Sequence, residues 1–254
     1  MPLILSIFPG IDLLGRAFEE VWPEACIVRG PDLIFGGDIH AFHPPAGKFD
    51  GVIGGPPCQA FSALRHLVAH VHGPDAVAPN LIPEFERVVA EAVPAWFVME
   101  NVPKAPEPLV PGYVVMGELI RDVWVGGETS RQRRFCFGTR EGIRLQIEQL
   151  ALHCPNPETA VLCDARQIPV AVGGSGKRKP IADGTRRSPG HGKIMPVSEM
   201  CRLQGLPPDF ADGLPITSAG KRKAIGNGVP LAMGRAVAKA VKLAMCPAAE
   251  EVVP

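Results

Sequence analysis

The sequence lacks an excess of charge of either sign and lacks any long hydrophobic run. Lysine and arginine together number 26, and so do aspartate and glutamate, so the formal net charge is zero and says nothing about a polyanionic partner. The apolar residues 1–5 are far fewer than the roughly 20 that a membrane-spanning helix needs, and we expect them to form a first strand. We therefore predict no membrane contact.

The sequence also lacks the cysteine spacing of a disulfide framework or a zinc site. Its seven cysteines are an odd number at irregular spacing, and no Cys-x-x-Cys pair occurs. This pattern indicates a reducing compartment, so we predict a cytoplasmic location. Cys154 and Cys163, with His153, come nearest to a metal cluster, but ordinary buried thiols are the commoner outcome and we predict no metal.

Short runs rich in valine, isoleucine and phenylalanine alternate with helical stretches such as Leu13–Val21 and Leu81–Ala92. This alternation is typical of βαβ units. It predicts an α/β fold in which a mostly parallel sheet carries helices on both faces.

The alternation stops after Arg140, and glycine, proline and basic residues dominate up to Met195. A chain of 254 residues is long enough for one large domain and a smaller one. We predict a large domain from residues 1–140 and 215–254, whose last helix lies near 231–245, and a small region at 141–214.

One turn carries the densest chemical signal, because an apolar run ends there in Gly54-Gly55-Pro56-Pro57-Cys58-Gln59. Glycines and prolines after a strand can hold a thiol outside the sheet, and ligands of open α/β sheets bind beyond the carboxyl ends of the strands. Cys58 is therefore a candidate nucleophile. The alternative is an inert buried thiol, which the two preceding prolines argue against.

Two further elements supply an acid and a cation. The apolar run 95–99 ends in Glu100-Asn101-Val102, and Arg131-Gln132-Arg133-Arg134 precedes the strand-like residues 135–137. Taken alone, Glu100 would fit a helix cap or a stabilising pair with an arginine, and the arginines would fit a surface cluster. Their order relative to Cys58 favours one shared site.

Pro-Cys-Gln, Glu-Asn-Val, Arg-x-Arg and the later Ile225-Gly226-Asn227-Gly228-Val229-Pro230 follow one another in this order. The combination resembles the DNA cytosine-5 methyltransferase family from about Leu5 to about Val241, and the compact recognition region resembles short prophage-type members. The resemblance implies a Rossmann-like S-adenosylmethionine-dependent methyltransferase fold for the large domain. It implies DNA target recognition for residues 141–214.

The chemistry of that family assigns roles to four residues. Carbon 5 of cytosine becomes a good nucleophile only after another nucleophile adds at carbon 6, and Cys58 is assigned to that addition. A carboxylic acid at ring N3 and the exocyclic amine fits Glu100, and a guanidinium at O2 fits Arg133 with Arg131 beside it. The methyl group comes from S-adenosylmethionine. The base that removes the C5 proton is not readable.

The cofactor site departs most from the family. The family opens with Asp-x-Phe-x-Gly-x-Gly, whereas this chain keeps the phenylalanine and the first glycine and has Ser6 and Asp12 at the first and last positions. An acid that binds the ribose should follow the second strand, but Arg29 stands there and Asp32 is the candidate replacement. The predicted cofactor-binding residues are Phe8, Gly10, Asp12, Asp32, Asp38, Pro56, Leu81, Asn227 and Val229.

The target cytosine lies inside a duplex, so an enzyme of this kind must turn the nucleotide out of the stack. In the family a mobile loop after the cysteine closes on the DNA, and here it would span about residues 63–79. The basic, glycine-rich residues 173–193 are predicted to touch phosphate, with a flexible linker as the alternative. The predicted DNA-binding residues are Gln59, Ser62, Lys177, Arg178, Lys179, Arg186 and Arg187.

Three functions stay open. The leading one is a DNA cytosine-5 methyltransferase that acts on double-stranded DNA as a monomer, free-standing or with a cognate restriction endonuclease. The second is the same reaction on RNA, although the relatives that methylate tRNA carry a different tripeptide after the cysteine. The third is a non-catalytic DNA-binding protein, suggested by Ser6 and Asp12 and opposed by intact Cys58, Glu100 and Arg133. The recognition sequence is not readable.

Overall fold

The structure is a computed structural model that describes residues 1–61, 70, 79–129, 131–149 and 195–246. Its contacts divide the chain into two compact units. Unit 1 consists of Met1–Ile120, Gln132–Glu148 and Gly234–Pro254, and unit 2 of Arg121–Arg131 and Gln149–Met233. This division by contacts does not test the predicted role of residues 141–214 in DNA recognition, which stays a prediction.

A mostly parallel sheet of six strands forms the centre of unit 1 in the described residues, in the order β2-β1-β3-β4-β6-β5. The strands are β1 Leu3–Ile7, β2 Cys26–Arg29, β3 Gly51–Gly54, β4 Trp96–Asn101, β5 Val114–Arg121 and β6 Gln132–Thr139. β1 pairs in parallel with β2 and β3, β3 pairs in parallel with β4, and β6 runs antiparallel to β4. The predicted α/β fold is confirmed.

The described residues contain five α-helices, and their bounds follow the sequence patterns closely. They are α1 Leu13–Val21, α2 Ile82–Ala92, α3 Val197–Leu203, α4 Ser218–Asn227 and α5 Leu231–Met245. Leu81, the predicted first residue of α2, is its N-cap, and Pro83 lies in the first turn, where a missing N–H is tolerated. Within the described ranges, no helix combines the length and apolar character needed to cross a membrane.

Aromatic rings make much of the core of unit 1. Trp96 on β4 is 1% exposed and stacks on Phe18 and Trp22 at centroid distances of 6.0 and 6.5 Å. Gly51 on β3 lies beside the same indole, which occupies the space where a Cβ would stand. The large ring is thus accommodated because its parallel neighbour has no side chain.

A second aromatic contact joins α2 to the sheet. The ring of Phe85 is fully buried and meets Phe97 edge to face at 5.8 Å. Valines and an alanine of α2 share that buried face, so an apolar stripe at helical spacing holds α2 on the sheet.

Phe85→Ala should lower the free energy of unfolding by about 3–5 kcal/mol, because it removes a buried ring and leaves a cavity against Phe97. Leu109, 81% exposed, gives a control, and its alanine variant should change stability by less than about 0.5 kcal/mol. Urea unfolding followed by tryptophan fluorescence measures both. Equal losses in the two variants would contradict the packing described for α2.

Candidate active site

The strand register of unit 1 brings three strand ends to one edge of the sheet. Ile7 of β1 pairs with Gly54 of β3, and Gly54 pairs with Met99 of β4. β1 and β3 end at these positions and β4 ends two residues later at Asn101, so all three strands end at one edge, where ligands of open α/β sheets bind. The predicted cofactor turn, cysteine turn and glutamate all begin there.

The cysteine turn is tied to the end of β4. The amide nitrogen of Asn101 donates a hydrogen bond of 3.1 Å to the buried Pro56 carbonyl, and its amide oxygen accepts from the Val102 N–H at 2.8 Å. Cys58 opens the short 3-10 helix Cys58–Phe61, is half-buried and is not part of a disulfide. The thiol is thus held on a turn that is anchored beside Glu100.

Glu100 and Arg133 form an ion pair of 2.9 Å between Oε1 and Nε, and the side chains are 10% and 15% exposed. Glu100 lies opposite Phe135 in the antiparallel ladder. Because side chains alternate across a strand, Arg133 shares the face of Phe135 and reaches Glu100 along the diagonal. Glu100 therefore does pair with an arginine, and that arginine is the one predicted for the site.

Gly55 has a spatial reason to be glycine. A Cβ at this position would lie 3.0 Å from Oε2 of Glu100, which is tighter than ordinary packing allows. The cysteine turn and the carboxylate are therefore in direct proximity. A thiol, a carboxyl group and a guanidinium converge at one edge of unit 1, which is a set able to add to a ring, protonate it and hold a carbonyl oxygen.

The turn after β1 has a left-handed backbone at three alternate residues. The φ angles are 52° at Phe8, 56° at Gly10 and 54° at Asp12. This region favours glycine and is strained for a phenylalanine. No atom lies within 4 Å of where a Cβ of Gly10 would stand, so the turn leaves open space in front of its backbone.

Two predicted acids, Asp32 and Asp38, follow β2 in the sequence, and Asp32 contacts this turn. Asp32 accepts 2.8 Å hydrogen bonds from the Gly10 N–H on Oδ2 and from the Ile34 N–H on Oδ1. Asp38 is exposed and caps the next 3-10 turn through the His40 N–H at 2.9 Å. A half-buried Phe8 ring, an open glycine and these carboxylates fit a ligand that combines a flat apolar base with sugar hydroxyls.

Arg131 belongs to unit 2, where it is 6% exposed. Its guanidinium donates to the carbonyl oxygens of Gly226 at 2.7 Å and Asn227 at 3.5 Å. It therefore fixes the backbone of the Ile225–Pro230 motif, in which the side chain of Asn227 is exposed and Val229 is buried.

The turn before Arg131 is closed by a buried carboxyl group. Oδ2 of Asp122 accepts from the N–H and the hydroxyl of Thr129 at 3.0 and 2.6 Å. Burial raises the pKa of Asp122 above its ordinary value, against the lowering effect of these bonds and of the Arg131 charge. The backbone N–H of Asp122 also donates to the Arg131 carbonyl at 2.9 Å, so the turn positions the arginine.

Several predicted site residues lie outside the described part of the chain. Gln59 is placed on its backbone only, and most of the predicted mobile loop is not described. The described residues contain no group of three or more histidine, cysteine, aspartate or glutamate side chains that could hold a metal ion. The predicted DNA-binding residues outside the description are Ser62, Lys177, Arg178, Lys179, Arg186 and Arg187.

Sequence reasoning missed three contributors to the site: Gly55, the side chain of Asn101 and Arg29. Asn101 belongs to the Glu-Asn-Val tripeptide and Gly55 precedes the two prolines, so the motifs include both residues without indicating what either one does. Arg29 was visible as a missing acid. Its pairing with Asp12, itself a predicted cofactor-binding residue, was not predicted.

Residues 35–108 match the profile of the family described as C-5 cytosine-specific DNA methylase. A type II methyltransferase of Picosynechococcus, M.AquIA, is 53% identical over 55 residues, which are 22% of this chain and 21% of that relative. The match thus spans about a fifth of the curated relative.

Solved methyltransferase structures share the fold over nearly the whole chain. The Entamoeba histolytica methyltransferase EhMeth has a TM-score of 0.61 at 13% identity, covering 95% of this chain and 98% of that one. A candidate DNA modification methyltransferase of E. coli prophage Cp has 0.57 at 16%, covering 96% and 99%. Spodoptera frugiperda DNMT2 has 0.58 at 13%, covering 95% and 99%. At such identities the likeness shows the fold alone.

Asn101→Ala should expose the Cys58 thiol more often, because the turn loses its anchor on β4. Alkylation of Cys58 by iodoacetamide, followed by peptide mass spectrometry, should accelerate about fivefold, the ratio expected for a lost hydrogen bond of about 1 kcal/mol. Tyr113→Phe is the matched control, because it removes a hydroxyl that donates to the Pro94 carbonyl before the other end of β4. Equal rates in the two variants would show that Asn101 does not hold the turn.

Proposed function

We propose that the chain belongs to the C-5 cytosine-specific DNA methylase family, whose profile residues 35–108 match, and that it transfers a methyl group from S-adenosylmethionine to carbon 5 of cytosine in double-stranded DNA. The observation that carries the proposal is the buried Glu100–Arg133 pair beside the anchored Cys58 turn. A buried ion pair that only stabilised the end of a strand would not require a neighbouring thiol. Methylation of cytosine at carbon 5 requires the thiol, the carboxyl group and the guanidinium.

Cys58 is proposed as the nucleophile. Its thiolate forms a bond to carbon 6 of the ring, and the electron pair of the 5,6 double bond moves so that carbon 5 becomes nucleophilic. S-adenosylmethionine, when bound, would supply an electrophilic methyl group to carbon 5 and leave as S-adenosylhomocysteine. Loss of the C5 proton then expels the Cys58 sulfur and restores the aromatic ring.

Glu100 and Arg133 are proposed to activate and hold the ring. The Glu100 carboxyl group binds N3 and the exocyclic amine, and the Arg133 guanidinium binds O2, where negative charge develops during addition. In the structure each group satisfies the other, so neither buried charge is unpaired before a base enters. The proposed role of Arg131 is to fix the Gly226–Asn227 backbone.

The cofactor is proposed to lie against the turn after β1, where the open space at Gly10 and the ring of Phe8 fit its adenosyl part. Asp12 belongs to the predicted set, but its carboxylate is buried, so we propose that it acts through the turn rather than on the cofactor. The other residues proposed to contact the cofactor are Asp32, Asp38, Pro56, Leu81, Asn227 and Val229.

Duplex DNA is the proposed substrate, with the target nucleotide turned out of the stack. Gln59, Ser62 and the basic residues 177–187 remain proposed DNA contacts. We further propose a monomer in the cytoplasm, of the prophage type, whose methylation protects phage or host DNA with or without a partner endonuclease.

Cys58→Ser should abolish methyl transfer because a hydroxyl is too weak a nucleophile for the addition at carbon 6. The measurement is incubation with unmethylated DNA and methyl-labelled S-adenosylmethionine, followed by digestion to nucleosides. Wild type should give labelled 5-methyldeoxycytidine. Cys246→Ser, which changes an exposed cysteine, should retain full activity.

The same experiment separates the alternatives. Label that appears only with RNA would move the activity to RNA. No label on diverse DNA and RNA would leave a binding protein on this scaffold. Label retained by Cys58→Ser would remove Cys58 from the mechanism.

Glu100→Gln should lower kcat by roughly 10²-fold or more, because an amide cannot supply the proton and leaves Arg133 without an anion. Glu118→Gln is the matched control, since it breaks an ion pair with Arg144 at the surface of the same unit. Single-turnover kinetics at saturating DNA and cofactor measure both, and urea unfolding reports any stability loss. Normal turnover in Glu100→Gln would exclude the carboxyl group from the addition step.

A further inference from the structure

We propose that Asp12 and Arg29 are positioning residues that hold the turn after β1 in the shape that binds the cofactor. The inference deepens the proposed function and rests on it. It concerns the two positions where the chain departs from its family, the last residue of the glycine turn and the residue that ends β2. In the structure these two departures are one contact.

The carboxylate of Asp12 is enclosed and has partners on three elements. Oδ1 accepts from the Ser6 hydroxyl at 2.8 Å and from the Gly15 N–H in the first turn of α1 at 3.2 Å. Oδ2 is buried and accepts no aligned hydrogen bond, and Nε of Arg29 lies 2.7 Å from it. The buried anion is therefore balanced by the charge of Arg29.

The pair sits on a backbone that needs support. Asp12 has a φ of 54° and Phe8 a φ of 52°, and such residues persist in the left-handed region only where their surroundings hold them. Asp12 joins the end of β1 to α1, and Arg29 joins it to β2. The Asp32 bond to the Gly10 N–H fixes the middle of the same turn from the segment that follows β2.

The family motif has its carboxylate at the first position and a glycine at the last, whereas this chain has Ser6 at the first position and Asp12 at the last. Because their side chains are in hydrogen-bond contact, a carboxylate can enter the same space from either end. Gly15 confirms how tightly that space is filled, since a Cβ there would collide with the Asp12 carboxylate. Arg29 thus stands at the ribose-side strand end as the counter-ion of Asp12, and also pairs with Glu19 at 3.0 Å.

The first test is a double-mutant cycle on cofactor affinity. Asp12→Asn and Arg29→Met should each weaken S-adenosylhomocysteine binding, measured by calorimetry, by about tenfold, and the double variant should lose clearly less than the product. Arg29→Lys should recover part of the loss because it keeps the charge. Arg144→Met, which breaks a surface pair with Glu118, should bind as wild type does.

Kinetics separate positioning from general damage. A positioning role predicts a raised KM for S-adenosylmethionine with kcat nearly unchanged at saturating cofactor, whereas partial unfolding would lower kcat. Independent, additive losses in the cycle, or unchanged affinity in both single variants, would overturn the inference. If wild type still binds S-adenosylhomocysteine in that case, the proposed function stands. Absence of binding by wild type would overturn both.

A second pair of variants tests the exchange itself. Ser6→Asp alone places two carboxylates in contact and should weaken S-adenosylhomocysteine binding by more than about tenfold. Adding Asp12→Gly removes the clash, relieves the left-handed aspartate and leaves one carboxylate for Arg29, so affinity should return to within about threefold of wild type. Failure of the second change to recover affinity would contradict the proposal.

Discussion

The parallel register of β1, β3 and β4 is the constraint on which the rest of the site depends. It aligns Ile7, Gly54 and Met99, and β4 ends only two residues after Met99, so three strands end at one edge. Side chains from neighbouring segments then fix two of these turns: Asn101 binds the Pro56 carbonyl, and Asp32, which follows β2, binds the Gly10 N–H. A shift of one residue in β3 would exchange the residues on its two faces, both of which are buried, and would move the cysteine turn along the sheet relative to Glu100.

Two carboxylates at this edge each have a guanidinium partner. Glu100 with Arg133 and Asp12 with Arg29 each combine a mostly buried carboxylate with a guanidinium. Pairing of this kind leaves neither carboxylate without an opposite charge. The same pairing explains how a chain with zero net charge can hold charged groups at this edge of the sheet.

The elements with strong periodicity could be predicted from the sequence, because local patterns decide them. Helices α1 and α5 have the predicted bounds, and Glu100 and Arg133 meet as the order of the motifs indicates. The link from Asn101 to Pro56 spans 45 residues, and no local pattern specifies such a partner. The pairing of Arg29 with Asp12 could not be predicted for the same reason, because an arginine in place of an acid is explained only when the structure shows Asp12 beside it.

Unit 2 is closed by contacts from both sides of the stretch between Glu148 and Met195. Arg131 binds the Gly226 carbonyl, 95 positions later, and Arg202 pairs with Glu128 at 2.7 Å. Since a doubling of loop length costs only about 0.6 kcal/mol in closure entropy, segments of very different length can be inserted between such clasps. The two clasps therefore hold the flanks of unit 2 together whatever the length of the stretch between them.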